Sequence, residues 1–142
     1  MIHRLEHAAL SVTDLDRSVT FYRDILGFEL IRILEPRDDA MLGTIAALPG
    51  AQARIAHLHL GGNMLELFEY VRPRGTALPP ERPQCDIGWI HAGLRSDDVR
   101  ADCRRLREMG VVFLSDPVEF RPGVWVVYFQ GPDGEMCELR QT

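Results

Sequence analysis

Apolar and polar positions alternate through residues 5–13. Leu5, His7, Ala9 and Ser11 fall on one face, and Ala8, Leu10 and Val12 on the other. A period of two is the signature of a strand with one apolar face. Thr13-Asp14 offers a capping oxygen to the segment after it. Leu15, Val19, Tyr22 and Leu26 then recur at helical spacing, and Gly27 sits where a helix would stop. Residues 28–35 predict a second strand. Residues 36–51, with Asp38-Asp39 and Pro49-Gly50, predict a loop with a helical turn, a segment able to cover a site. Residues 54–60 and 64–70 predict two strands joined by Gly61-Gly62-Asn63, a hairpin signal. In the second of these, Met64, Glu66 and Phe68 share one face, Leu65 and Leu67 the other.

Prolines at 73, 79, 80 and 83 mark a linker, and then the pattern starts again. Residues 88–95 predict a strand containing His91. Asp97-Asp98 opens a helix with the stripe Val99, Cys103, Leu106 and Met109, stopped by Gly110. Residues 111–114 predict a short strand, 124–130 a longer one, Pro132-Asp133-Gly134 a turn, and 135–140 the last strand. A shift of 84 places His7 on His91, Ala8 on Ala92, Leu10 on Leu94 and Asp14 on Asp98. A shift of 72 places Gly62 on Gly134, Met64 on Met136, Glu66 on Glu138 and Leu67 on Leu139. Each half reads strand, helix, strand, strand, strand. Helices alternate with strands only once per half, which excludes a doubly wound parallel sheet. The expectation is an α+β chain of two small curved sheets packed side by side, since either half alone would bury its apolar face poorly. We take residues 1–142 as a single domain, with module one over 1–71, a linker over 72–87 and module two over 88–142.

Composition changes this picture little. Apolar residues make up 46% and charged residues 26%, as in an ordinary globular domain. A net charge of −5 leaves no electrostatic footprint for nucleic acid, so Arg104, Arg105 and Arg107 are read as a solvated helix face. No apolar run reaches the roughly 18–20 residues of a membrane span. Cys85, Cys103 and Cys137 are odd in number and lack metal-ligand spacing. With no secretory leader evident, the expectation is a soluble cytoplasmic protein with reduced, structural thiols.

The chemistry lies in the repeat. A single strand histidine is most often a core or surface residue. Glu66 is a stronger signal, because a carboxylate in an apolar strand needs a partner, and Glu138 in MCELR stands in the same position. Histidine and glutamate at matched positions of both halves point to His7, Glu66, His91 and Glu138 meeting at one divalent ion. Two imidazoles and two carboxylates suit Zn, Ni, Co, Mn or Fe(II). Such an ion polarises a carbonyl while a glutamate, Glu138 or Glu66, acts as base.

These same motifs resemble the vicinal oxygen chelate superfamily, which includes glyoxalase I, methylmalonyl-CoA epimerase, extradiol dioxygenases and bleomycin or fosfomycin resistance proteins. HAALSVTDLDRSVTFYRDILGFEL is similar to the family's opening strand and helix, MLELFEY to the second-ligand strand, IHAGLRSDDV to the third, and GPDGEMCEL to the closing motif. The resemblance spans nearly the whole chain. It implies paired βαβββ modules forming mixed sheets around a metal-binding cleft, with His7, Glu66, His91 and Glu138 as ligands and one divalent metal ion per site. It also implies a small-molecule substrate and a homodimer. The expected activity is that of an isomerase or lyase of epimerase or glyoxalase I type, working by proton abstraction next to a carbonyl on a small metabolite or thioester. An Fe(II) extradiol dioxygenase and a non-catalytic small-molecule-binding resistance protein are the alternatives. The 25-residue offset from Glu66 to His91 is similar to that of the epimerase branch. Residues 36–65, however, hold no glutamate where that branch usually carries its base.

Secondary candidates are fewer. His57 and His59 share a strand face and are read chiefly as outer-face or dimer-contact residues, with His59 kept as a candidate substrate contact. Trp125, Val127 and Phe129 share another face, and Trp125 is the candidate pocket wall. Arg121, in the loop before that strand, is the candidate contact for an anionic group.

Overall fold

The computed structural model describes residues 1–37, 40–79 and 82–142. Asp38 and Asp39 of the expected loop, and Pro80 of the linker, lie outside the described residues. The chain divides into two compact units, Met1–Ala77 and Leu78–Thr142.

The first unit contains β1 (His7–Ser11), α1 (Leu15–Thr20), β2 (Glu29–Leu34), α2 (Met41–Ile45), β3 (Gln52–Leu60) and β4 (Asn63–Arg72). Its sheet runs β1-β4-β3-β2. β1 lies parallel to β4, while β2–β3 and β3–β4 are antiparallel. Leu60 pairs with Asn63, so Gly61-Gly62 forms a two-residue hairpin loop. Both glycines have positive φ, +56° and +82°, as the tight hairpin turn requires. Asn63, expected in the turn, already belongs to β4.

α1 is capped by Asp14, whose Oδ1 accepts from the Arg17 amide at 3.0 Å. The single helix expected to Leu26 instead widens into a π-helical stretch, Phe21–Ile25, closed by Leu26 N–H donating to Phe21 O. The wider turn sets Tyr22 edge-on to both Phe21 and Phe28 and buries all three. α1 covers β3 and β4, and Leu15, Ala56, Leu58 and Leu67 are fully enclosed. Arg54 pins the helix to the sheet. Its two terminal nitrogens each donate to a carboxylate oxygen of Asp16 at 3.1 Å, and one also to Glu69 at 3.3 Å.

The second unit contains β5 (Ala92–Arg95), α3 (Val99–Glu108), β6 (Val118–Arg121), β7 (Val124–Gln130) and β8 (Met136–Gln141). Its sheet runs β5-β8-β7-β6, again with first and last strands parallel. Asp98 caps α3 by accepting from the Ala101 amide at 2.9 Å. Val99, Cys103 and Leu106 form the buried stripe, and Arg104, Arg105 and Arg107 are exposed. This is the strand–helix–three-strand α+β pattern, twice.

Two expectations are corrected. His91 precedes β5 by one residue rather than lying within it. The short strand expected at 111–114 is a single bridge, Phe113 to Phe129, and the edge strand is Val118–Arg121. The apolar run at 111–114 made the stronger pattern, but β6 is exposed at every position and so carries no alternation. The offset between halves falls because α2 lies between β2 and β3, whereas only Pro122-Gly123 separates β6 from β7.

No disulfide joins the three cysteines. Cys103 and Cys137 are buried and Cys85 is exposed, and burial pushes the Cys103 thiol above its ordinary pKa. Among the described residues no helix is long and apolar enough to cross a membrane.

Leu67→Ala empties a fully enclosed position between β4 and α1. It should cost about 2–5 kcal/mol, read as a fall in the urea midpoint at unchanged slope; a loss below about 1 kcal/mol would contradict this account of the core.

Candidate metal centre

Residues directly opposite on neighbouring strands point to the same face. In the first sheet Glu66 of β4 stands between Ala9 of β1 and His57 of β3, and His57 stands opposite Arg32 of β2. His7, two residues before Ala9, shares that face. The result is a polar row across all four strands, on the side away from α1. His7 Nε2 is 3.5 Å from Glu66 Oε2, and His57 Nε2 is 3.2 Å from Glu66 Oε1. Arg32 Nε donates to His57 Nδ1 at 3.2 Å. The Glu66 and His57 side chains are 14% and 12% exposed, that of His7 41%. On its other side His7 Nδ1 bonds the Glu6 carboxylate. That bond, opposed by slight desolvation and reinforced by Glu66, raises the His7 pKa above its ordinary value.

The second sheet repeats the central pair. His91 Nε2 is 3.5 Å from Glu138 Oε2. The cross-strand neighbours differ: Glu138 faces Tyr128 on β7 and Gly93 on β5. The Tyr128 ring lies 5.0 Å from the His91 ring. A Cβ at Gly93 would stand 3.2 Å from Glu138 Oε2, so glycine leaves the carboxylate room that Ala9 does not leave Glu66. His91 Nδ1 is buried and lacks a hydrogen-bond partner among the described residues.

The same atoms at the same 3.5 Å in both sheets make a poor hydrogen bond. They make a suitable pair of ligands. Two donors bound at about 2.1 Å, at angles between square and tetrahedral, lie about 3.0–3.4 Å apart. His7 also has the arrangement usual for a metal-binding imidazole, one nitrogen towards the site and the other on a carboxylate. Within each unit this is a half-set: no group of three or more His, Cys, Asp or Glu side chains among the described residues has the spacing of a metal site.

Residues 4–139 match the family model described as the glyoxalase/bleomycin resistance protein/dioxygenase superfamily. The chain belongs to this superfamily. Among its relatives is a 2-epi-5-epi-valiolone epimerase from an Actinomyces species, 36% identical over 95% of this chain and 77% of that one. A probable lactoylglutathione lyase from Synechocystis is 29% identical over 97% and 95%. A glyoxalase family protein from Bacillus cereus superimposes with a TM-score of 0.88 at 19% identity, covering 99% and 94% of the two chains. That last likeness is one of fold.

In this superfamily member His59 is exposed and borders a cavity of about 260 Å³ with Arg4, Glu6, Asn63 and Met64. Met64 lies opposite His7, so the cavity adjoins the first half-set. Arg121 ends the exposed β6. Trp125, three residues from Tyr128 on the same strand, is on the opposite face from Glu138, with the Arg100 guanidinium of α3 4.6 Å from its ring centroid. It is a wall on the helix side rather than beside Glu138. His57, read from sequence as an outer-face residue, lies against Glu66 instead. Its signal was in the sequence: His57 and Glu66 are equidistant from the Gly61-Gly62 turn.

In metal-free protein, Glu6→Gln should lower the His7 titration midpoint towards that of an ordinary imidazole, followed by NMR. The folded pKa is the raised one. Glu6 is shifted the other way, downwards, by the same bond. The pair's contribution to stability is therefore complete between the ordinary carboxylate range and the unfolded imidazole value of about 6.5, fades as pH rises through the folded His7 value, and is lost again in acid as Glu6 protonates. An unmoved midpoint in the variant would rule out Glu6 as the cause.

Proposed function

We propose that the protein is a divalent-metal-dependent enzyme that abstracts a proton next to a carbonyl of a small substrate, as an epimerase or a glyoxalase-type isomerase or lyase. The observation that carries this is the matched His–Glu pair, His7 with Glu66 and His91 with Glu138, each at 3.5 Å through the same atoms. We take these four side chains as the ligands. The relatives named epimerase and lactoylglutathione lyase favour this chemistry over ring cleavage. The epimerase is the more similar of the two.

A divalent ion held by His7, Glu66, His91 and Glu138 would supply electrostatic stabilisation to a substrate oxygen that gains charge as the proton leaves. Glu138 takes that proton on a carboxylate oxygen. Its ion-pair partner among the described residues is His91, and its Oε2 lies close against Gly93, where a Cβ would stand 3.2 Å away. Glu66 stays at its post between two imidazoles. Return of the proton from Glu138 to the neighbouring carbon gives isomerisation; epimerisation needs a proton delivered to the opposite face of the same carbon by a second acid, for which a water molecule serves. The cavity beside His59 and Met64 is where the remainder of a small substrate fits, with Arg4 and Asn63 as polar contacts.

Addition of Ni, Co or Zn should raise the thermal midpoint of metal-stripped protein in a concentration-dependent way. No stabilisation by any of them, and no metal in the purified protein, would favour a metal-free binding protein instead. Glu138→Gln should slow turnover by about 10²–10⁴-fold and weaken metal binding. An unchanged rate and stoichiometry would remove Glu138 from the site. Exchange of a substrate α-proton in deuterated water is the expected signature of the reaction, whereas oxygen uptake with a catechol under Fe(II) would assign a dioxygenase.

A further inference from the structure

The two carboxylates occupy equivalent strands but not equivalent surroundings. Opposite Glu138 the cross-strand residue is Tyr128, which packs on His91. Opposite Glu66 it is His57, with Nε2 3.2 Å from Oε1. His57 is also the better enclosed of the two imidazoles beside Glu66. On its far side Arg32 Nε donates to His57 Nδ1 at 3.2 Å. A guanidinium can only donate, so Nδ1 is the acceptor of that bond. A neutral ring accepting at Nδ1 carries its proton on Nε2, the atom beside the carboxylate. Glu66 thus has an imidazole at each oxygen, His57 at Oε1 and His7 at Oε2.

We propose that His57 is a positioning residue for Glu66. Held in its Nε2-protonated form by Arg32, it fixes Oε1 and leaves Oε2, the oxygen facing His7, as the single atom offered to the metal. The proposal rests on the metal-dependent function and deepens it. His57 confines Glu66 to ligand duty, and the second sheet has no counterpart of it, since Tyr128 stands at that register opposite Glu138. Outer partners of this kind govern metal affinity through the orientation of the ligand they hold.

The test uses the full chain, metal-stripped and then titrated with Co(II). In metal-free protein the ring-nitrogen NMR shifts of His57 should report the Nε2-protonated form, and Arg32→Leu should abolish that preference. His57→Phe keeps the ring volume and should weaken Co(II) binding by about 10–100-fold with an altered visible spectrum. His57→Gln offers an amide donor in place of the imidazole N–H and should restore most of the affinity and the wild-type spectrum. A ring protonated at Nδ1, or wild-type affinity and spectrum in both His57 variants, overturns the proposal alone. Failure of the wild-type protein to bind Co(II) overturns the metal reading and this proposal with it.

Discussion

A carboxylate set in an apolar strand must find a partner, and the polar face of each sheet is arranged around that need. Leu67, fully enclosed beneath α1, and Cys137 and Leu139, buried beneath α3, fix the facing of β4 and β8. A slip of one residue would turn those side chains outward and drive the glutamate into the core. Register is therefore set by burial on one face and lines up the His–Glu pair on the other. In both sheets the answering imidazole accompanies the strand that lies parallel to the glutamate's own: His7 opens β1, and His91 immediately precedes β5.

The repeat preserves the pair and varies what surrounds it. Position by position, Ala9 becomes Gly93 and His57 becomes Tyr128 as the cross-strand neighbours of the carboxylate. The first sheet thus surrounds its glutamate with two imidazoles and a guanidinium behind them. The second gives its glutamate one imidazole, a tyrosine and a glycine, and buries it. Two copies of one pattern let a chain assign separate duties to side chains of the same chemical type, because environment rather than identity sets what a carboxylate does.

Much of this is legible in the sequence. The period of two in β1, β3, β4, β7 and β8, the helical stripes with their aspartate caps and glycine stops, and the pairing of histidine with glutamate in each half all lie on its surface. The features that escape do so for physical reasons. β6 is an exposed edge strand with no buried face to mark it, while the apolar run before it joins the sheet through one bridge only. The π-helical widening of the first helix comes from the packing of Phe21, Tyr22 and Phe28, which helical periodicity does not encode. Alternation alone puts His57 and His59 on one face. Only the length of the turn shows which of them meets Glu66.

The order of strands also decides how the His–Glu pairs come into being. β2, β3 and β4 are joined in sequence by antiparallel pairing, whereas β1 reaches β4 across the whole unit. His7 and Glu66 are 59 positions apart, His91 and Glu138 47. Each His–Glu pair is therefore closed by the least local contact of its unit, the kind that loop-closure entropy delays in folding. β1 and β5 are also edge strands, bonded to a single neighbour each. Fraying of either one separates its His–Glu pair while the three-strand meander stands, so the pair and the meander belong to different tiers of local stability.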